Sequence, residues 1–165
     1  MKKNIYIGIG SNLGDPLKNC HKALDRIRNI PECEVSRVSR FYLSEPVGVD
    51  GQEWYVNGVA MLKCTLEPAG LMRALLDIES EMGRIRGKKW ESRVIDLDIL
   101  LYGMEIISVD GLTIPHPLMH KRRFVLAPMM DLAPDLIHPV KDQCISELLE
   151  NIDIHEQKIQ VLGDD

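Results

Sequence analysis

The chain has 165 residues, 45% of them hydrophobic and 27% charged, with a formal net charge of -5. That size and balance describe one globular domain, 1–165, with a core of its own, and the acidic surplus argues against a dedicated DNA or RNA binder. No apolar segment has the length of a membrane span, and the apolar run after "MKK" is too short for a signal peptide, so a soluble cytoplasmic domain without membrane partners is expected. It is also expected to act as a monomer without nucleic-acid partners.

"NIYIGIG" reads as an opening strand. Asp15-Pro16 supplies an N-cap and a first-turn proline for a helix with Leu17, Cys20, Leu24 and Ile27 on one face, which Pro31 stops. "EVSRVSRFYL" alternates as one half-buried strand, and "YVNGVAMLKCT" as another with Tyr55, Asn57, Val59 and Met61 on one face. The turn-rich "SEPVGVDGQEW" between them is a loop. Glu67-Pro68 starts a second helix carrying Leu71, Leu75, Ile78 and Met82, ended by Gly83. The basic "RIRGKKWESR" then leads into the strand "RVIDLDILLYG". This order, β-α-β-β-α-β, is the split βαβ pattern of ferredoxin-like folds. Beyond Gly103 the signals are weaker: a hairpin from "MEIIS" and "LTIP", helix in "RFVLAPMMDLAP" and "ISELLENI", and a closing strand in "KIQVL".

Asp96 and Asp98 interrupt an otherwise oily strand. Strand residues alternate faces, so the two carboxylates point the same way, about 6.6 Å apart along the strand. A buried lone carboxylate is costly, and an isolated Asp-x-Asp more often marks a solvated face. Here Arg84, Arg86, Lys88, Lys89 and Arg93 precede it. Two carboxylates suit Mg²⁺, which combines one or two of them with waters and phosphate oxygens, and a cationic approach segment suits the phosphates. Together these are the parts of phosphoryl transfer.

Other motifs are weaker. "GIGSNLG" spaces Gly8, Gly10 and Gly14 as GxGxxxG, one residue longer than the dinucleotide fingerprint, so the glycines are read as easing a strand-to-helix turn. "GRIRGKK" misses the P-loop spacing. His116 and His120 are four apart, but Pro115 and Pro117 flank the first and discourage a zinc-binding helix, and His116 groups better with Lys121, Arg122 and Arg123 as donors for anions. Trp54 and Trp90 fall in loops, where an indole anchors a loop or stacks on a heterocycle, and Asn57 could bond the edge of such a ring. Cys20, Cys33, Cys64 and Cys144 show no CxxC pair and read as reduced structural thiols.

Taken in order, "IGIGSNLGDP", "FYLSEPVG", "QEWYVNGV", "EMGRIR", "WESRVIDLDILLYG" and "LTIPHPLMHKRRFVLAPMMDLAP" resemble the 6-hydroxymethyl-7,8-dihydropterin pyrophosphokinase family of folate biosynthesis up to about Pro134. The resemblance implies an α+β fold, a three-layer α/β/α sandwich with a ferredoxin-like βαββαβ core. It also implies transfer of pyrophosphate from ATP to the pterin hydroxymethyl group, with ATP as co-substrate and two Mg²⁺ ions. Under it, Asp96 and Asp98 are metal ligands, and Arg84, Arg93 and Asp98 form the catalytic set. Glu79, Arg86, Trp90, Ile99, Thr113, His116 and Arg122 are implied at ATP, and Asn12, Ser44, Val47, Tyr55, Asn57 and Phe124 at the pterin. The chain departs from the family at Trp90-Glu91-Ser92-Arg93, where Trp-Gly-Pro-Arg is usual. It also has Ser44 where Thr is usual, and Gly111 where some members carry an ATP-contacting Arg. These bear on loop closure and ATP affinity, not on the reaction. The competing readings are an Asp-x-Asp nucleotidyl- or glycosyltransferase, a non-catalytic ATP-binding regulator and, least favoured, a dinucleotide oxidoreductase.

Overall fold

β1 (Lys3–Ser11) is flanked on both sides by antiparallel partners, β4 (Tyr55–Cys64) and β5 (Asp96–Tyr102). A computed structural model describes residues 2–46, 53–83 and 94–162. β2 (Cys33–Val38) and β3 (Tyr42–Ser44) both pair with β4, and β8 (Ile159–Val161) extends the sheet beyond β3. A separate hairpin joins β6 (Ile107–Val109) to β7 (Leu112–Ile114).

Alternation along β1 sends Ile5, Ile7 and Ile9 to one face, where α1 (Pro16–Arg28) and α2 (Pro68–Glu81) cover them. Asp15 caps α1, its carboxylate accepting the Lys18 amide at 3.2 Å, and the helix buries Cys20, Ala23, Leu24 and Ile27 as its periodicity predicts. The opposite face carries Tyr6, Val59, Leu100 and Leu101, under α3 (Arg123–Leu132) and α4 (Ile145–Glu150). The result is the α/β/α sandwich. α3 is tied to the sheet by Asp131, which receives Arg40 at 2.8 Å and the Tyr42 hydroxyl at 2.9 Å. Burial, with that carboxylate, pushes Tyr42 up to about 12, so it remains a donor.

Three sequence readings change. The strand read through 34–43 is broken at Ser39, whose hydroxyl accepts the Val59 amide at 2.8 Å while its own N–H donates to Val59 at 2.9 Å, giving β2 and β3. Gly8 and Gly10 lie inside β1, and only Gly14, at φ +65°, serves the strand-to-helix turn. Cys33 and Cys64, opposite each other in the β2–β4 register with Cα atoms 4.3 Å apart, form a disulfide rather than free thiols. Their separation of 31 residues gives no sign of a contact made by strand register. No described helix is long and apolar enough to cross a membrane.

After α3, buried His138 accepts the Val140 and Lys141 amides at Nδ1, both at 3.1 Å. Burial, then His120 and Lys141, hold its pKa below the ordinary 6.5. The folded chain therefore takes up this proton less readily than the unfolded one. The contribution of His138 to stability is full above pH 6.5 and is lost as pH falls through the depressed value. The thermal midpoint should fall as pH drops below 6.5, and His138→Asn, whose amide oxygen can replace Nδ1 as acceptor, should flatten part of that fall. An unchanged pH profile in the variant would remove His138 as a cause.

Candidate active site

Gly8 and Gly10 follow Tyr6 on the face of β1 that turns toward α3. Without side chains there, the sheet has a hollow, and a cavity of about 480 Å³ opens over it. Gly10 is required by closeness rather than by a turn: a Cβ would lie 2.6 Å from Oδ1 of Asn57.

β5 delivers Asp96 and Asp98 to this cavity, two residues apart as strand alternation demands. The β1–β5 register slips between Tyr6 and Ile7, leaving Leu100 as an extra residue that turns onto the same wall. Behind the strand, the buried Glu79 of α2 accepts the Leu97 amide at 2.8 Å, satisfying an outward N–H on this edge strand. The peptide between the two aspartates is thus anchored from the opposite layer.

The chain returns to the cavity at His116, whose N–H bonds the Leu100 carbonyl at 3.0 Å. Its Nδ1 accepts the Leu118 amide at 3.1 Å, so the neutral ring carries its proton on Nε2. Burial, then Arg122, depress the His116 pKa against an opposing pull from Asp96. At neutral pH it is an uncharged donor. Lys121 and Arg122 add two cations to the lining, and Arg122 lies 5.4 Å from the centre of the Phe124 ring.

Tyr55, Asn57, Ser44 and Phe124 line the same cavity. Asn57 donates to the buried Ser44 hydroxyl at 2.6 Å, which fixes the amide. A threonine in place of Ser44 would keep that hydroxyl.

The structure therefore gathers Asp96, Asp98, His116, Arg122, Ser44, Tyr55, Asn57 and Phe124 around one space. Four other expected residues lie outside its lining. The Ile99 side chain is core on the α1–α2 side, Thr113 is exposed on β7, Glu79 sits behind β5, and Asn12 is buried with its amide donating to the Glu53 carbonyl at 3.2 Å. Val47, Arg84, Arg86, Trp90 and Arg93 lie outside the described residues, as do Lys88, Lys89 and Glu91. Sequence reasoning missed Glu45, Pro46 and Gln157, all of which line the cavity. Glu45 and Pro46 stood inside a quoted motif. Gln157 sits in a C-terminal stretch with no chemical signature.

Among the described residues no group of three or more His, Cys, Asp or Glu side chains could hold a metal alone. Two carboxylates beside cations suit Mg²⁺ shared with a polyphosphate, because that ion keeps waters and phosphate oxygens as most of its ligands. The lining pairs carboxylates and phosphate donors with an aromatic and amide surface fit for a planar heterocycle.

The family model for 7,8-dihydro-6-hydroxymethylpterin-pyrophosphokinase matches residues 6–134. The chain is 44% identical over 151 residues to the 2-amino-4-hydroxy-6-hydroxymethyldihydropteridine pyrophosphokinase of Haemophilus influenzae, covering 92% of this chain and 94% of that one. It is 44% identical over 139 residues to the protein of the same name in Pseudomonas aeruginosa, covering 84% and 86%. Among solved structures, HPPK-DHPS of Plasmodium falciparum with pteroate superposes with a TM-score of 0.74 at 13% identity, over 91% of this chain and 42% of that longer one. That likeness concerns the fold.

Proposed function

We infer that this chain, which belongs to the 7,8-dihydro-6-hydroxymethylpterin-pyrophosphokinase family, transfers pyrophosphate from ATP to the hydroxymethyl group of 6-hydroxymethyl-7,8-dihydropterin in folate biosynthesis. The observation that carries the reading is one cavity that joins Asp96 and Asp98, the donors His116, Lys121 and Arg122, and the Tyr55, Asn57 and Phe124 surface.

In the proposed arrangement the pterin lies against Tyr55 and Phe124, with Asn57 bonding its edge and Ser44 holding Asn57 in place. His116 donates from Nε2 to a phosphate oxygen, and Lys121 and Arg122 offset the triphosphate charge. Asp96 and Asp98 would hold Mg²⁺, which when bound neutralises the polyphosphate and steadies the charge that develops at the α–β bridging oxygen. The hydroxymethyl oxygen gives up its proton to solvent and bonds to the β-phosphorus as the bond to the α–β bridging oxygen breaks. The pterin then carries the β and γ phosphoryl groups, and AMP leaves. Attack at β rather than γ requires the hydroxyl in line with that bridge, so catalysis is mainly positioning.

Glu79 supports this indirectly by anchoring the peptide between the aspartates. Ile99, with its side chain in the core, could meet the nucleotide only through its backbone. The assignment of Arg84, Arg86, Trp90 and Arg93 to closure over ATP, of Val47 and Asn12 to the pterin, and of Thr113 to ATP rests on the sequence. So does action as a monomer.

The test is product identity. With Mg-ATP and the hydroxymethyl pterin, AMP and the pterin diphosphate should form in equal amounts. ADP would mean transfer of one phosphoryl group, free pyrophosphate would mean a nucleotidyltransferase, and ATP binding without turnover would mean a regulator. Each would overturn the reading.

A further inference from the structure

The C-terminal segment lies beyond the residues that the family model matches, 6–134, yet it forms part of the cavity wall. Gln157 is half-buried there, and its amide makes two bonds to one turn: Oε1 accepts the Arg123 amide at 2.7 Å, and Nε2 donates to the Lys121 carbonyl at 2.9 Å. The peptide groups on either side of Arg122 are therefore held by one side chain. Arg123 is gripped a second time, its guanidinium donating to the Ile154 carbonyl at 3.1 Å.

The same segment reaches the other wall. The Lys158 amide donates to the Glu45 carboxylate at 2.7 Å, the Glu45 amide returns a bond to the Lys158 carbonyl at 3.0 Å, and β8 continues this contact along β3. Gln157 itself adopts a positive φ of 52°, unusual for a residue with a side chain. That backbone turn ends one grip and begins the other. A residue serving only to end a loop need not bond both flanks of Arg122.

We propose that Gln157 is a positioning residue for the phosphate-binding turn, holding the Lys121–Arg123 backbone so that Arg122 faces the nucleotide's phosphates. The proposal rests on the assignment of Arg122 to ATP. Gln157 touches no reacting atom in this scheme. It acts through Arg122 and through the seat that Arg122 finds over Phe124.

The experiment is a double-mutant cycle read by calorimetry with the α,β-methylene analogue of Mg-ATP, using wild type, Gln157→Gly, Arg122→Ala and the double variant. Glycine is chosen because it keeps the positive φ while removing the amide. Gln157→Gly should weaken analogue binding about five- to tenfold in the wild-type background, as expected for losing hydrogen bonds of ordinary strength. In the Arg122→Ala background it should change binding by less than about twofold, because coupled residues do not add. Amide exchange at Arg123 should quicken in Gln157→Gly, with little change in thermal midpoint. Equal losses in both backgrounds, or no loss in the wild-type background while Arg122→Ala binds weakly, overturn the proposal and leave the phosphate site standing. Undiminished binding by Arg122→Ala overturns the assignment of Arg122, and the proposal with it.

Discussion

Asp98→Ala will lower kcat by at least about a thousandfold, roughly 4 kcal/mol of transition-state stabilisation, while the protein stays folded. The size follows from what the side chain is proposed to hold. Asp96 and Asp98 share one face of β5, and among the described residues no group of three or more His, Cys, Asp or Glu side chains could hold a metal. Removing one leaves half of the protein's contribution to the cation. The fold should tolerate the loss because Asp98 faces the cavity rather than the packed layer of Ile99 and Leu97. Single-turnover rates across a Mg²⁺ titration, with circular dichroism as the check on folding, read this directly. Near-normal rates at limiting Mg²⁺ would sink the metal assignment.

Asn57→Ala should weaken pterin binding by about 1–3 kcal/mol, roughly five- to more than a hundredfold, and leave binding of the ATP analogue almost unchanged. Two losses combine in it. The edge of the heterocycle loses its amide partner, and the buried Ser44 hydroxyl loses the donor now 2.6 Å away. Gly10→Ala offers an independent route to the same result, because its Cβ would fall 2.6 Å from the Asn57 oxygen and displace the amide without altering it chemically. Calorimetry should show both variants losing pterin affinity selectively. Equal losses for pterin and nucleotide would take Asn57 out of the pterin pocket.

The parts of this fold that repeat locally could be read from the chain. Strand alternation predicted that Asp96 and Asp98 share a face, and helical spacing predicted the buried side of α1, because both periods are properties of the backbone. What depends on register or on the far end of the chain could not. Cys33 meets Cys64 only once β2 lies beside β4. Leu100 faces the cavity because of a single extra residue in β5, which no composition rule marks. Gly8 and Gly10 looked like turn residues because glycine favours both a turn and a close approach, and the sequence does not say which is needed. The family resemblance supplied chemical roles that no spacing carries. It was silent on Gln157, which gains a role only when β8 docks on β3.

The most direct test of the account is a crystal structure with Mg²⁺, the α,β-methylene analogue of ATP and 6-hydroxymethyl-7,8-dihydropterin bound together. Metal density shared by Asp96, Asp98 and the phosphates is expected, with His116 and Arg122 on phosphate oxygens. The pterin is expected between Tyr55 and Phe124, bonded to Asn57, its hydroxymethyl oxygen aimed at the β-phosphorus. A nucleotide bound away from Asp96 and Asp98, or a pterin whose hydroxymethyl group points away from the triphosphate, would contradict it.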